Sequence, residues 1–364
     1  MTQTIFDSSD IVPILLEWWD AGHADWPWRN TRDPYAIWVA EVMLQQTQIA
    51  TVLPYYERWL ARFSTVEELA AADLAEVLKL WEGLGYYGRA RHLHAAAQTI
   101  VRDYDGRLPN TVEELLKLKG IGRYTAGAIA SMAFDRPAAV LDGNVIRVLT
   151  RLLDLADDVT LPGVKRELWE LAERLLPAAR PGDYNQALME LGQSVCRPAA
   201  PQCHLCPLAG LCLARERGTQ LERPVRPPRA RTPHYDVAAG VIRGSDGRLL
   251  IARRPLNGLL GGLWEFPGGK QRPGESLPET LRREIREELD VEIEVERPLT
   301  VIQHAYTHFR ISLHAFHARY LSGQPRCLGV ADYAWVYPAD LDGYAFAATD
   351  RQIINKLMNN LEQT

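Results

Sequence analysis

Apolar residues recur at every third or fourth position through residues 8–213 of this 364-residue chain, and at every second position through much of the remainder. The helical period covers 11–19, 37–52, 74–80, 90–101, 112–118, 125–134, 145–153, 164–176 and 184–195, one helix after another. Capping-box sequences mark two starts, Ser64-Thr65-Val66-Glu67-Glu68 and Asn110-Thr111-Val112-Glu113-Glu114. Past residue 234 the pattern predicts strands at 236–243, 248–253, 291–296, 299–304 and 310–320, with helices at 277–289 and 348–361. No repeat occurs at solenoid spacing. The expected organisation is an all-α domain over 1–213 followed by a smaller α+β domain over 235–364.

The stretch between them, 214–234, has a different composition. It holds Arg215, Arg217, Arg223, Arg226, Arg229 and Arg231 against Glu216 and Glu222, together with Pro224, Pro227, Pro228 and Pro233. Prolines at that density suit neither a helix interior nor a central strand, so an extended linker is expected. A hydrophobic content of 47% with 24% charged residues excludes a disordered tail or a coiled coil. No apolar run approaches the roughly 18 residues of a membrane span. The first ten residues show neither the basic nor the apolar segment of an export signal, which predicts a cytoplasmic protein. The net charge of −5 excludes a generally basic DNA coat. It divides as −7 over 1–213 (20 basic, 27 acidic), +4 over the linker (6 and 2) and −2 over 235–364 (15 and 17). Arginine supplies 35 of the 41 basic residues, a bias that suits bidentate phosphate contacts and also follows from a GC-rich genome.

Without an export signal, five cysteines do not imply a disulfide framework. Four of them cluster as Cys196-x6-Cys203-x2-Cys206-x5-Cys212, while Cys327 stands alone and reads as a small apolar residue. A single short C-x2-C spacing leaves zinc or buried thiols open; one thiolate ending a helix and three in a loop suit a [4Fe–4S] cube better. The spacing is also similar to that of the iron–sulfur glycosylases related to endonuclease III.

Residues 115–129 read as helix, turn and helix around Gly120-Ile121-Gly122, framed by Lys119 and Arg123. Glycines there allow positive φ and let backbone N–H groups face a phosphate. Asp142 comes twenty residues after Gly122, with Pro137 between. Together these resemble the helix–hairpin–helix–Gly/Pro–Asp motif of DNA base-excision glycosylases. Members that also cut the DNA backbone carry a lysine eighteen residues before the aspartate as Schiff-base nucleophile; here that position is Tyr124, and the resemblance implies a monofunctional enzyme.

Near the start, Trp26-Pro27-Trp28-Arg29 and Trp38-Val39-Ala40-Glu41-Val42-Met43-Leu44-Gln45-Gln46-Thr47 set a lone carboxyl among apolar residues. A buried carboxyl keeps its proton near neutral pH, as a general acid requires. With Leu84-Gly85-Tyr86-Tyr87-Gly88-Arg89-Ala90-Arg91, the hairpin, Asp142 and the cysteines, this run is similar to the adenine DNA glycosylases, the MutY family, over residues 10–213. The resemblance implies that Glu41 protonates adenine and then activates water. Asp142 and Asn144 would stabilise the oxocarbenium-like sugar by two-carboxylate logic, and Tyr124 would support Asp142. Trp28, Arg29 and Gln186 would line the purine pocket. Gln46, Thr47, Leu84, Gly85 and Tyr86 would fill the gap left by the extruded base, and Arg89, Arg91, Lys119, Arg123, Arg197 and the linker arginines would meet phosphates. Cys196, Cys203, Cys206 and Cys212 would hold the [4Fe–4S] cluster.

The second domain carries Gly269-x5-Glu275-x7-Arg283-Glu284-Ile285-Arg286-Glu287-Glu288-Leu289-Asp290-Val291, which resembles a Nudix box in all but Asp290, where glycine is expected. That aspartate opposes the helix dipole and forfeits the left-handed cap that glycine offers. Glu284, Glu287 and Glu288 share a helix face suited to a hard cation. His304-Ala305-Tyr306-Thr307-His308-Phe309 is similar to the loop with which the family checks 8-oxoguanine opposite the adenine, which assigns Tyr306, Thr307 and His308 to that contact. The whole resembles a multidomain base-excision repair protein: an all-α helix–hairpin–helix domain with a [4Fe–4S] cluster loop at 196–212, then an α+β Nudix-like domain. It would be a monomer of the bacterial cytoplasm and nucleoid, with no membrane partner, removing adenine opposite 8-oxoguanine or guanine in duplex DNA. The alternatives are a bifunctional endonuclease III-like lyase on oxidised pyrimidines and a Nudix pyrophosphohydrolase.

Overall fold

In the computed structural model, which describes residues 7–228 and 232–361, the helical period resolves into α1 (Ser8–Ala21), α2 (Pro34–Leu44), α3 (Ile49–Arg62), α4 (Val66–Ala71), α5 (Leu74–Leu80), α6 (Gly88–Asp103), α7 (Val112–Leu115), α8 (Arg123–Phe134), α9 (Gly143–Leu152), α10 (Pro162–Leu175) and α11 (Pro181–Glu190). Start signals are side-chain caps: Asp33 accepts from Tyr35 N ahead of Pro34, and Thr111 accepts from Glu114 N. The single helix expected over 37–52 is two. Gln46 takes a left-handed φ of 58° and separates α2 from α3; apolar spacing continues across the break because it does not register one residue's dihedral. The helix expected over 112–118 stops at Leu115, and its end tightens into i→i+3 bonds such as Leu118 N to Leu115 O.

The chain forms two units. The first takes in the described residues up to Ala71 and those from Ala95 to the described end of the linker; the second takes in Ala72–His94 and the described residues from 232 onward. In the first unit, α1, α9, α10 and α11 close over Leu15, Trp19, Val145, Leu149, Leu168 and Tyr184. The arginine-rich stretch is not extended throughout. Leu213–Arg217 forms α12, Arg223 Nε meets Asp154 Oδ1 at 2.9 Å with both side chains nearly buried, and Val159 N donates to Val225 O at 3.1 Å. The prolines begin only at 224, so nothing prevents a helix before them. Arg229 and Arg231 lie outside the described residues, as do the first six positions.

In the second unit, seven strands among the described residues form one mixed sheet: β1 (His234–Arg243), β2 (Leu249–Arg253), β3 (Trp264–Glu265), β4 (Gly268–Lys270), β5 (Glu292–Ala305), β6 (Arg310–Ser322) and β7 (Asp332–Val336). Their order is β3-β2-β1-β6-β5, with β4 also on β1 and β7 on β2; β1 and β6 run parallel. The two strands expected at 291–296 and 299–304 are one, bent where the register slips around Pro298. Helix α13 (Leu277–Leu289) covers one face through Leu281, Ile285 and Leu289, and α14 (Ala348–Leu361) the other through Ile353, Ile354 and Leu357. No helix among the described residues is long and apolar enough to cross a membrane.

Asp290 does not forfeit the cap at the end of α13. It adopts the left-handed conformation itself (φ 58°, ψ 39°), and its N–H donates to Arg286 O at 3.1 Å. Aspartate tolerates that region better than most residues, and Arg326 Nη1 stands 3.4 Å from its carboxylate. Asp290→Val should therefore lower stability by about 1–2 kcal/mol, whereas Asp290→Gly should not lower it. Urea unfolding of the full chain checks both, and equal losses would contradict the left-handed cap.

Candidate active site

Helix α2 buries every residue from Tyr35 to Met43, including Glu41 at 5% exposure. Its carboxyl reaches a cavity of about 630 Å³ that Tyr124, Asp142 and Asn144 also line. Tyr124 Oη donates to Glu41 Oε2 at 2.7 Å and also lies 3.2 Å from Met189 Sδ. Burial pushes the Glu41 carboxyl up to about 7 from its ordinary 4.5, Asp142 adds to the rise, and the Tyr124 hydrogen bond and Arg29 hold it back.

Asp142 is the N-cap of α9: Oδ1 accepts from Asn144 N (2.9 Å) and Val145 N (2.7 Å), and Oδ2 accepts from Asn144 Nδ2 (2.7 Å). Burial raises its carboxyl above the usual range, against those three donors and Arg147. Arg147 Nη2 donates to Asn144 Oδ1 and to Gly192 O, and Arg147 Nε to Cys196 O. Gly192 permits this approach, because a Cβ there would stand 2.6 Å from Asn144 Cβ. The two carboxyl groups thus differ in surroundings. Glu41 has one hydroxyl donor in an apolar wall, and Asp142 has a helix terminus that favours its anion.

Trp28, Arg29 and Gln186 line the same cavity. Glu190, which sequence reasoning missed, stands behind them: Arg29 Nη2 meets Glu190 Oε2 at 2.7 Å. The one signal for it was a lone acid in Ala187-Leu188-Met189-Glu190-Leu191, one turn after Gln186. Leu44, Met132, Met189 and Gln193 also line the cavity unforeseen. Gln46 and Thr47 form its rim, Gln46 exposed and in its left-handed turn. In the hairpin only Gly120 uses positive φ (84°); Gly122 is the extended N-cap of α8, exposed, with open space where a Cβ would stand. Arg123 stays about half exposed while it pairs with Glu173 at 2.5 Å and lies 4.1 Å over Trp169.

The four clustered cysteines carry no disulfide. Cys196, Cys206 and Cys212 pack against the first unit's core, and burial pushes the Cys206 thiol up to about 11, with the other three adding to the rise. Arg151, almost fully buried, sets Nη1 3.3 Å from Cys196 Sγ and donates to the carbonyls of Arg197 and Pro198. Among the described residues no three His, Cys, Asp or Glu side chains gather closely enough to hold one metal ion. A four-iron cube would take one thiolate at each iron, spaced more widely than ligands around a single ion, and four free thiols beside a buried guanidinium suit that anionic group.

In the second unit, Leu84 is buried rather than exposed, and Tyr86, at φ 48°, is the projecting residue of its turn. Arg89 and Arg91 also turn inward. Arg89 lies 5.3 Å over Trp81 and 5.2 Å over Tyr86 and donates to Leu84 O and Gly85 O, while Arg91 Nη1 donates to Gly261 O at 2.6 Å. Thr307 and His308 are exposed at the β5–β6 turn, closed by Tyr306 N to Phe309 O at 2.8 Å. Tyr86 Oη lies 3.1 Å from Thr307 Oγ1, and a cavity of about 660 Å³ is lined by Gly85, Tyr86, Tyr306, Thr307 and His308. Two of the three carboxylates on the acidic face of α13, Glu284 and Glu287, are paired internally, and among the described residues Glu288 is not. Arg272 grips both Glu287 oxygens, and Arg283 holds Glu275, Glu284 and Glu287.

Residues 39–174 match the HhH-GPD superfamily of base excision DNA repair proteins, and residues 238–356 match the NUDIX domain. The chain is 40% identical over 335 residues to the adenine DNA glycosylase of Rattus norvegicus, covering 77% of this chain and 65% of that one. It therefore spans slightly under two thirds of that relative's length. Identity to the adenine DNA glycosylase of Schizosaccharomyces pombe is 30% over 357 residues, covering 85% and 77%. A solved thermostable thymine-DNA glycosylase matches 58% of this chain and 97% of its own, at 32% identity and a TM-score of 0.53.

The cap geometry separates the two properties of Asp142. Asparagine caps a helix as well as aspartate but loses the bond from Asn144 Nδ2, so Asp142→Asn should lower thermal stability less than Asp142→Ala does. Asp142→Ala should lower it by about 1 kcal/mol. Calorimetry that finds Asp142→Asn as destabilised as Asp142→Ala would contradict the cap.

Proposed function

Because this chain belongs to the adenine DNA glycosylase family, we propose that it hydrolyses the N-glycosidic bond of adenine paired with 8-oxoguanine, or with guanine, in duplex DNA. The observation that carries the reading is one cavity holding two unlike carboxyls, with Glu41 pushed up to about 7 and Asp142 capped by backbone N–H groups.

A carboxyl that keeps its proton near neutral pH can hand it to adenine N7, which turns the base into a leaving group. As the bond breaks, the sugar gains oxocarbenium character. Asp142, fixed by Asn144, is the anion to stabilise or trap it, and Glu41, now deprotonated, activates the water that completes hydrolysis. Tyr124 orients Glu41 through its 2.7 Å hydrogen bond. Trp28, Arg29 and Gln186 enclose the extruded purine, and about 630 Å³ is ample for a base. Gln46, Thr47 and Tyr86 would occupy the emptied stack, with Gly85 and the buried Leu84 shaping the Tyr86 turn. Gly120 and Gly122 would bring backbone N–H groups to a phosphate. Tyr306, Thr307 and His308 would read the opposite 8-oxoguanine, the Thr307 hydroxyl at its Hoogsteen edge.

Cys196, Cys203, Cys206 and Cys212 would hold a [4Fe–4S] cluster, whose iron–thiolate bonds would tie the 196–212 loop together. We place the protein as a monomer on nucleoid DNA in a bacterial cytoplasm, its domains joined by the 214–234 linker. A lyase is disfavoured because Tyr124 cannot form an imine, and pyrophosphohydrolysis because arginines hold Glu284 and Glu287 of the acidic face of α13.

Duplexes carrying adenine opposite 8-oxoguanine, adenine opposite thymine, or thymine glycol test this directly. Adenine should leave the first alone, with no borohydride-trapped adduct, and Glu41→Gln should bind it while losing at least about 100-fold in rate. Equal release from adenine opposite thymine, or action on thymine glycol, would overturn the proposal.

A further inference from the structure

Arg29 is held from three sides. Its Nη2 meets Glu190 Oε2 at 2.7 Å, its Nη1 donates to Ala24 O at 2.8 Å, and its guanidinium lies 5.1 Å over the Trp19 ring. The side chains of the pair are 7% and 12% exposed, so water screens neither charge well. Glu190 itself does not line the cavity, although Gln186 and Met189 of the same helix do. It ends α11 at the point where the chain passes into the π-helical turn Leu191–Val195, with Ser194 Oγ donating to Glu190 O at 2.8 Å. A carboxylate that touches the one cation lining the cavity among the described residues, and not the cavity, acts through that cation.

We propose that Glu190 is the positioning and charge-balancing residue of the purine pocket, fixing the Arg29 guanidinium against the cavity and offsetting part of its charge beside Glu41. The inference rests on the glycosylase reading and goes beyond it, because neither carboxyl of the proposed chemistry is Glu190. An uncompensated guanidinium would favour the Glu41 anion and strip the acid of the proton it must donate. With Glu190 in place, Arg29 offers the purine its N–H donors and exerts less pull on Glu41. The ionisable groups facing Glu41 are Tyr124 on α8, Asp142 at the start of α9, and Arg29 from the turn Pro27–Arg29. Only the Arg29 contribution depends on Glu190.

In Glu190→Gln the unbalanced cation beside Glu41 stabilises its anion, so the acid loses its proton at lower pH. Single-turnover adenine release from the duplex with 8-oxoguanine should then show its alkaline limb moved down by about one pH unit, the lower end of what a nearby opposite charge does. At pH 8 release should fall about tenfold relative to wild type, while at pH 6 it should change less than about threefold. The double variant Arg29→Gln/Glu190→Gln removes both charges and leaves none unpaired. Its limb should return to within a few tenths of a unit of wild type, although purine binding suffers, and this pattern would not arise from loss of packing alone. An unmoved limb in Glu190→Gln, or a double variant whose limb stays with the single one, overturns the inference. A wild-type chain that releases no adenine overturns the glycosylase reading beneath it; release with an unmoved limb overturns only the role of Glu190.

Discussion

The Glu41 carboxyl is desolvated on a helix buried along its length: Trp38, Val39, Ala40, Val42 and Met43 are all buried with it. A shift from 4.5 to about 7 corresponds to roughly 3 kcal/mol against the anion, a cost the fold bears at one point and makes usable there. Much of the first unit serves that placement. Asp33 and Pro34 start α2 in register, the left-handed Gln46 stops it at the rim of the cavity, and Tyr124 comes from α8 to meet the acid.

Burial raises the second carboxyl as well, but there hydrogen-bond donors oppose the rise. Asp142 stands at a helix start where three N–H bonds reach its side chain, and α9 ties it to the cysteine loop. Arg147 joins Asn144 to the carbonyls of Gly192 and Cys196, and one turn later Arg151 joins Cys196, Arg197 and Pro198 to Arg223 O. One face of α9 therefore carries contacts to the proposed catalytic anion, to the four-cysteine segment and to the start of the linker. A disturbance of the loop has a short covalent and hydrogen-bonded route to Asp142, which gives the cysteines a structural reason to lie where they do.

Much of this was legible in the residues because the signals are local. Ser276 and Glu279 form the capping box that begins α13, and its predicted limits, 277–289, coincide with the observed helix. The pairing of Glu41 with Asp142 became visible through resemblance rather than spacing, since 101 positions separate them. What stayed hidden is of two kinds. Single dihedrals, such as the left-handed Gln46 and Asp290, leave no trace in a hydrophobic period. Partners claim charges that the sequence leaves open: distant Asp154 claims Arg223, distant Glu173 pairs with a still half-exposed Arg123, and the nearby Trp81 and Tyr86 rings hold Arg89. These arginines also brace turns and helices, and Glu190, 161 residues from Arg29, carried no signal of its pairing.

The burial of Glu41 is open to direct measurement without DNA or turnover. Isotope-edited infrared titration of glutamate-labelled protein, with Glu41→Gln subtracted, should show a protonated carboxyl that disappears with a midpoint near pH 7. A midpoint close to the ordinary 4.5 would mean that the cavity does not hold the proton on Glu41, and the proposed chemistry would lose its acid.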